Sequence, residues 1–313
     1  MSFVLDDAPW MLDSVELNAA VAALEELAER LDTALLRREE VRCYAGVYQE
    51  CHVQVGVRLY ELLFGENSLL SLQRDLRNRL SRHLDRIATL QDDKILAFDV
   101  TIHGERIFAP SLAWAHDRSF QGEPAGCLTL STAGRVGGLP VDVEGRLAQL
   151  HFVVNESAHV GFFRQRILDS ADAHTLETLA ASAFPQLCFV DDLWRGLHDF
   201  SRPYRDIRDE VVNHLSIFSD HGSHIFSQKQ NRIIESGFAA HYIEVSPENQ
   251  ETLRDRRCRE AREREFCDEL LIFNWHSKIE PHQNRIHIHP GTKGSNNRVI
   301  VGILHEHLPL PRN

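Results

Sequence analysis

Apolar residues return at spacings of three and four from Leu17 onward: Leu17, Val21, Leu24, Ala28, Leu31 and Leu35. That period matches one face of an α-helix, and Asp13 followed by Glu16 has the form of a capping box at its start. The same period puts Tyr44, Val47, Cys51, Val55, Leu59 and Leu62 on one side of a second helix over 41–64, closed by Gly65. A third stripe, Leu69, Leu72, Leu76, Leu80, Leu84, Ile87 and Leu90, has Arg79, Arg82 and Arg86 on its far side, which reads as a solvated face. Residues 1–92 are therefore expected to form a helical, coiled-coil-like region. Its leucine seams suit self-association as a homo-oligomer.

Near Asp92 and Asp93 the period changes, which sets a boundary before an expected second domain over 93–313. A hairpin is expected with its turn at His103-Gly104-Glu105, and strands over 127–131 and 147–154 flank the glycine-rich segment 134–145. Helical patterns follow over 156–170, 173–183, 193–200, 204–218 and 224–236, with a brief apolar run at 187–190. Asp191, Asp192, His198, Asp199, His214, Asp220 and His221 lie in this stretch, but their spacing matches no metal motif. Ser246-Pro247-Glu248 signals a helix start, and the run to about Cys267 matches arginines with acids in the manner of a solvent-exposed helix.

The last third alternates. Segments 270–280, 284–289 and 298–304 read as strands joined by turns at Pro281-His282-Gln283 and 290–297, an antiparallel meander. Alternation places Leu271, Phe273 and Trp275 on a core face and Asn274, His276, Lys278 and Glu280 on the other, joined by Arg285, His287 and His289. If the second turn centres between Lys293 and Gly294, Arg285 lies opposite Gly302 and His287 opposite Ile300, and His305, opposed to His282, falls on the other face. The fold class expected is thus α+β, an amino-terminal helical region followed by a mixed domain ending in a basic, histidine-rich sheet over about 270–307.

Charge sharpens this picture. The chain has 313 residues and a formal net charge of −12, yet residues 271–313 carry Lys278, Arg285, Lys293, Arg298 and Arg312 against Glu280 and Glu306, with six of the 18 histidines. A basic face on an acidic body suits contact with phosphate or an acidic partner. His276, Lys278, Arg285 and His287 are the candidate catalytic set: two imidazoles for proton transfer and two cations for a phosphate's developing charge. Asn274, His289 and Arg298 are candidate nucleic-acid contacts. Six cysteines without a C-x-x-C pair read as reduced, buried thiols, and no motif calls for a metal or cofactor. An acidic amino terminus and the lack of an 18-residue apolar run point to a cytoplasmic chain with no membrane partner.

The strings W-H-S-K-I-E-P-H-Q-N-R-I-H-I-H (275–289) and V-I-V-G-I-L-H-E-H-L-P (299–309), with F-P-Q-L-C-F (184–189), F-S-R-P-Y (200–204) and H-L-S-I-F-S-D (214–220), resemble a group of uncharacterised bacterial proteins associated with mobile or defence loci. No activity comes with that group. The carboxy-terminal strands are also similar to the sheet of RelE-type toxin ribonucleases, and this resemblance implies roles in RNA cleavage for Lys278, Arg285, His287 and His305. The resulting expectation is a component of a defence or toxin-type system that binds RNA, DNA or a protein partner of the same system, with a non-catalytic scaffold favoured. A metal-independent ribonuclease is the first alternative and a metal-dependent hydrolase the second.

Overall fold

The computed structural model describes residues 2–65, 72–91, 95–280 and 283–311. The chain is α+β and divides into two compact units, 1–162 and 163–313, the division falling within the helix Glu156–Leu168. The expected starts and turns at Leu69, Asp92-Asp93 and Pro281-His282, and Arg312, lie outside the described residues.

The first unit is organised by an eight-stranded sheet. Its strands begin with β1 (Ser2–Leu5) and β2 (Glu40–Tyr44), after which β3 (His52–Gln54) and β4 (Val57–Arg58) form a separate small hairpin. The sheet continues with β5 (Ala88–Leu90), β6 (Asp99–Ile102), β7 (Glu105–Phe108), β8 (Gly126–Leu128), β9 (Gly137–Val143) and β10 (Arg146–Val153). The spatial order is β5-β2-β1-β8-β10-β9-β6-β7, with the first five strands parallel and the last three antiparallel to their neighbours. Phe3, Val4 and Leu5 of β1 are wholly buried, as a central parallel strand covered on both faces requires. Val4, Cys127 and Phe152 pack with Leu112 and Ala115 of the helix Pro110–Phe120, while the Phe3 ring meets Phe162, 5.2 Å away.

This sheet corrects the helical reading of 1–92. β1, β2 and β5 come from that stretch and pair within the same sheet as β6–β10, so the strands on either side of the expected boundary are not separate domains. In place of one helix over 41–64 stand β2, a four-residue helix Val47–Glu50, the β3–β4 hairpin and the helix Leu59–Phe64. The third stripe becomes the helix Arg74–Leu84 followed by β5. Asp13 does not cap: the helix Leu17–Leu36 begins after Glu16, and Asp13 instead accepts the Val55 N–H at 3.3 Å. The central positions of the leucine seams are used inside the unit, while Leu17 and Leu35 at the ends of the first are exposed. Leu24, Leu31, Leu76, Leu80 and Leu84 are buried, and Asp32 of the first helix pairs with Arg79 and His83 of the other. The hairpin at His103-Gly104 is present, with φ of 54° and 81° as a tight turn between β6 and β7 needs.

The second unit contains β11 (Leu187–Phe189), β12 (Glu244–Pro247), β13 (Glu263–Phe266), β14 (Glu269–Ile272), β15 (Trp275–Glu280), β16 (Gln283–His289) and β17 (Val299–His305). The five-stranded order is β11-β17-β16-β15-β12, antiparallel throughout except for β11 beside β17. The expected meander is its centre. β13 and β14 make a separate hairpin turning at Cys267 and Asp268. The arginine-rich run expected as one helix is two short ones, Gln250–Arg254 and Arg256–Glu260, followed by β13.

One sheet face lies against the helix Tyr204–Ile217, which passes through a π-helical turn, Phe218–Gly222, into Ser223–Phe226. His214 Nδ1 and Ser277 Oγ share a buried hydrogen bond of 2.5 Å, and the Phe226 and Trp275 rings meet edge to face at 5.4 Å. Among the described residues no helix is long and apolar enough to cross a membrane. Five cysteines are free and buried as expected, whereas Cys267 is exposed in its turn.

Candidate functional site

Alternation selects which side chains share a face, and here it holds. His276 pairs directly opposite His287 and Lys278 opposite Arg285, with the two imidazole rings 5.4 Å apart. Glu244 of β12 stands opposite Lys278 and forms an ion pair with it.

The register with β17 differs from the expected one. Arg285 lies opposite His305 and His287 opposite Ile303, while Ile288 meets Val301, so a bulge at Gly302 shifts the ladder. His305 therefore joins the Arg285 face, and Glu244, Lys278, Arg285 and His305 form one row across four strands. Gly302 leaves no vacancy: a Cβ there would overlap the Phe273 ring, which fills the space.

Burial separates the two rows. His287 is wholly buried and His276 is 6% exposed, whereas Lys278, Arg285 and His305 are half-buried. Beside the imidazoles lies an ion pair that the alternation did not reveal. Arg262 is wholly buried, its Nη2 2.6 Å from Glu248 Oε2, and it also donates to the Cys258 carbonyl at 2.8 Å. The only sequence signal for this was Pro247-Glu248 at a helix start; Arg262 itself reads as one of many exposed arginines. Burial alone would raise the Glu248 carboxyl, but the Asn249 N–H and Arg262 hold it below its ordinary value.

Protonation follows from this enclosure. Burial, then the Arg285 charge, lowers His276 to about 4, and burial with the neighbouring His276 lowers His287 well below the usual imidazole value. Both rings are neutral near pH 7. His287 Nδ1 lies 3.3 Å from the Phe273 carbonyl, which only accepts, so the proton sits there and Nε2 keeps a lone pair. Among the described residues, His287 Nε2, His276 Nδ1 and Arg285 Nε have no hydrogen-bond partner.

The other candidates are seen in local contacts. The Asn274 carbonyl accepts the Glu248 N–H at 2.6 Å, and His289, its pKa lowered by burial, accepts the Gly291 N–H at 3.2 Å. Arg298 donates to the Ser295 and Pro185 carbonyls, each at 3.2 Å, which fixes local structure. Among the described residues no group of three or more His, Cys, Asp or Glu side chains is placed to hold a metal ion.

A second buried polar cluster went unread in the sequence, in the first unit, where β1 and its neighbour β8 end. In doubly wound sheets, ligands bind outside such strand ends. Here Asp6 accepts from Thr129 Oγ1 at 2.6 Å and Arg135 Nε at 2.7 Å, and Asp7 accepts the Ser111 N–H at 2.8 Å. Asp6, Asp7 and Arg135 are 0%, 4% and 7% exposed, so these groups close the strand ends over rather than opening them to a ligand. Burial raises the Asp7 carboxyl to about 7.

Comparison with protein-family models, with curated proteins and with solved structures gives no match.

Proposed function

We propose that the second unit is a non-catalytic binding component that contacts the phosphates of a nucleic-acid strand through Lys278, Arg285 and His305. The observation that carries this reading is the row itself: three basic residues abreast on adjacent antiparallel strands, each reaching solvent. A phosphate backbone is positioned by cations and N–H donors such as Lys278, Arg285 and the His305 imidazole, and Glu244 at the end of the row limits its net charge. The imidazole pair behind the row supports binding over cleavage. A ribonuclease of this kind needs a protonated acid near neutral pH, and His276 and His287 are sealed and neutral there. Service in a defence or toxin-type system rests on the sequence resemblance alone.

Fluorescence anisotropy with a labelled single-stranded RNA, across a salt series, tests this. Arg285→Ala is expected to weaken binding and to reduce the salt slope by about one counterion, with Lys278→Ala acting similarly. Intact RNA after prolonged incubation is expected. Cleavage by the wild-type chain that His287→Ala abolishes would replace the binding reading with the ribonuclease one, and binding only to an acidic peptide would replace nucleic acid with a protein partner.

A further inference from the structure

The second unit holds a pair of imidazoles that the Lys278 row does not use. The His221 and His241 rings stack with their centroids 4.0 Å apart and 15° between their planes. Several features of the fold bring them together. His221 follows His214 by seven residues, so in an uninterrupted α-helix it would share the buried face of His214. The π-helical turn Phe218–Gly222, with its wider i→i+5 winding, rotates His221 off that face into solvent. Gly237 lets the helix Asn231–Ala239 approach Ser223–Phe226 closely, since a Cβ there would stand 2.9 Å from Ile225 Cγ2. The Phe218 and Phe238 rings, edge to face at 5.7 Å, join the same two elements. His241 sits in the turn after the second of them, its backbone N–H bonded to the Phe238 carbonyl at 2.9 Å.

The pair is accessible. His221 is exposed and His241 half-buried, and among the described residues neither ring makes a hydrogen bond, so no ring nitrogen is committed to a protein partner. Asp220, the neighbouring acid, is taken up by Arg164 through bonds of 2.6 and 2.8 Å. A tetrahedral metal ion at the usual metal–imidazole distance sets two imidazole nitrogens about 3.3 Å apart. Rings stacked at 4.0 Å are within an ångström of that spacing, a difference that rotation of surface side chains closes.

We propose that His221 and His241 form a chelating site for a divalent transition-metal ion of the kind imidazole prefers, Cu²⁺, Ni²⁺ or Zn²⁺, with water completing the coordination. A bound ion would clamp the π-helical turn to the connection that leads into β12. The site holds whether or not the Lys278 row contacts nucleic acid.

Isothermal titration of the full chain with NiCl₂ and ZnCl₂, and electron paramagnetic resonance of the Cu²⁺-loaded chain, test the site. Affinity is expected to rise from Ni²⁺ to Cu²⁺ and to fall again at Zn²⁺. Both His221→Ala and His241→Ala are expected to weaken binding about tenfold or more, since a single imidazole cannot chelate. The copper spectrum is expected to show two nitrogen ligands in the wild type and one in each variant. Cys267→Ser, which removes the exposed thiol, is expected to leave all of this unchanged. Ni²⁺ is also expected to raise the melting temperature of the wild type but not that of the double variant, whose melting temperature without metal stays that of the wild type. Absence of binding at millimolar Ni²⁺ and Cu²⁺, or binding unchanged in either histidine variant, overturns the proposal.

Discussion

Asp7 shows how much one carboxyl can be altered by its place in a sheet. It follows β1, only 4% exposed, and burial is the main cause of its rise to about 7, with Asp6 adding to it. An acid whose folded pKa is raised weakens the fold as pH climbs from its unfolded value near 4 to about 7, because the unfolded chain gives up its proton first. Asp7→Asn keeps an acceptor for the Ser111 N–H and removes that charge. The variant is expected to be more stable than wild type by on the order of 1–3 kcal/mol at pH 8, with the gain vanishing near pH 4. Urea unfolding at the two pH values measures it.

At the scale of elements, the helices Leu17–Leu36 and Arg74–Leu84 show where sequence periodicity is enough and where it stops. Their leucine stripes are real, and Leu80, 1% exposed, is expected on truncation to alanine to cost about 2–5 kcal/mol in urea unfolding, because its neighbours cannot collapse fully into the gap. Periodicity does not say what a stripe packs on, and here each meets the other. The short parallel strand β1 was illegible for a related reason. Phe3-Val4-Leu5 is buried, so it lacks the alternation that marks a strand, and three or four apolar residues fit a helix equally well, whereas Cys127-Leu128 of β8 lies within the strand expected over 127–131. β15 and β16 alternate cleanly, and the pairs His276–His287 and Lys278–Arg285 were legible. The β17 register was not, since a long connection and the Gly302 bulge leave no local signal of the shift. Nor could alternation foresee that Arg262 and Glu248 would enclose the histidines, because that contact joins positions whose own patterns read as exposed helix.

For the whole molecule, the titrating groups predict an asymmetric response to acid. In the second unit His214 and His276 are lowered to about 4, and His287 and His289 are also lowered, chiefly by burial. A depressed imidazole contributes stability present above about pH 6.5 and lost as pH falls toward its folded value, since the unfolded chain takes up the proton first. In the first unit His83 and His116 are lowered by burial and act in the same sense, but Asp7 opposes them. Scanning calorimetry between pH 7.5 and 5 is expected to show the second unit's transition moving down further than the first's. Parallel shifts of a single transition would count against it.

The edge strand β11 imposes an order on synthesis. Among the described residues, Leu187, Cys188 and Phe189 pair only with Val299, Ile300 and Val301, more than a hundred residues later. While the ribosome extends the intervening helices, this apolar segment has no sheet partner, and the loop to be closed is long. The second unit therefore cannot acquire its complete sheet vectorially, one element after another. It must wait for β17 and then close in a late, cooperative step, until which 187–189 stays an apolar segment without its strand partner.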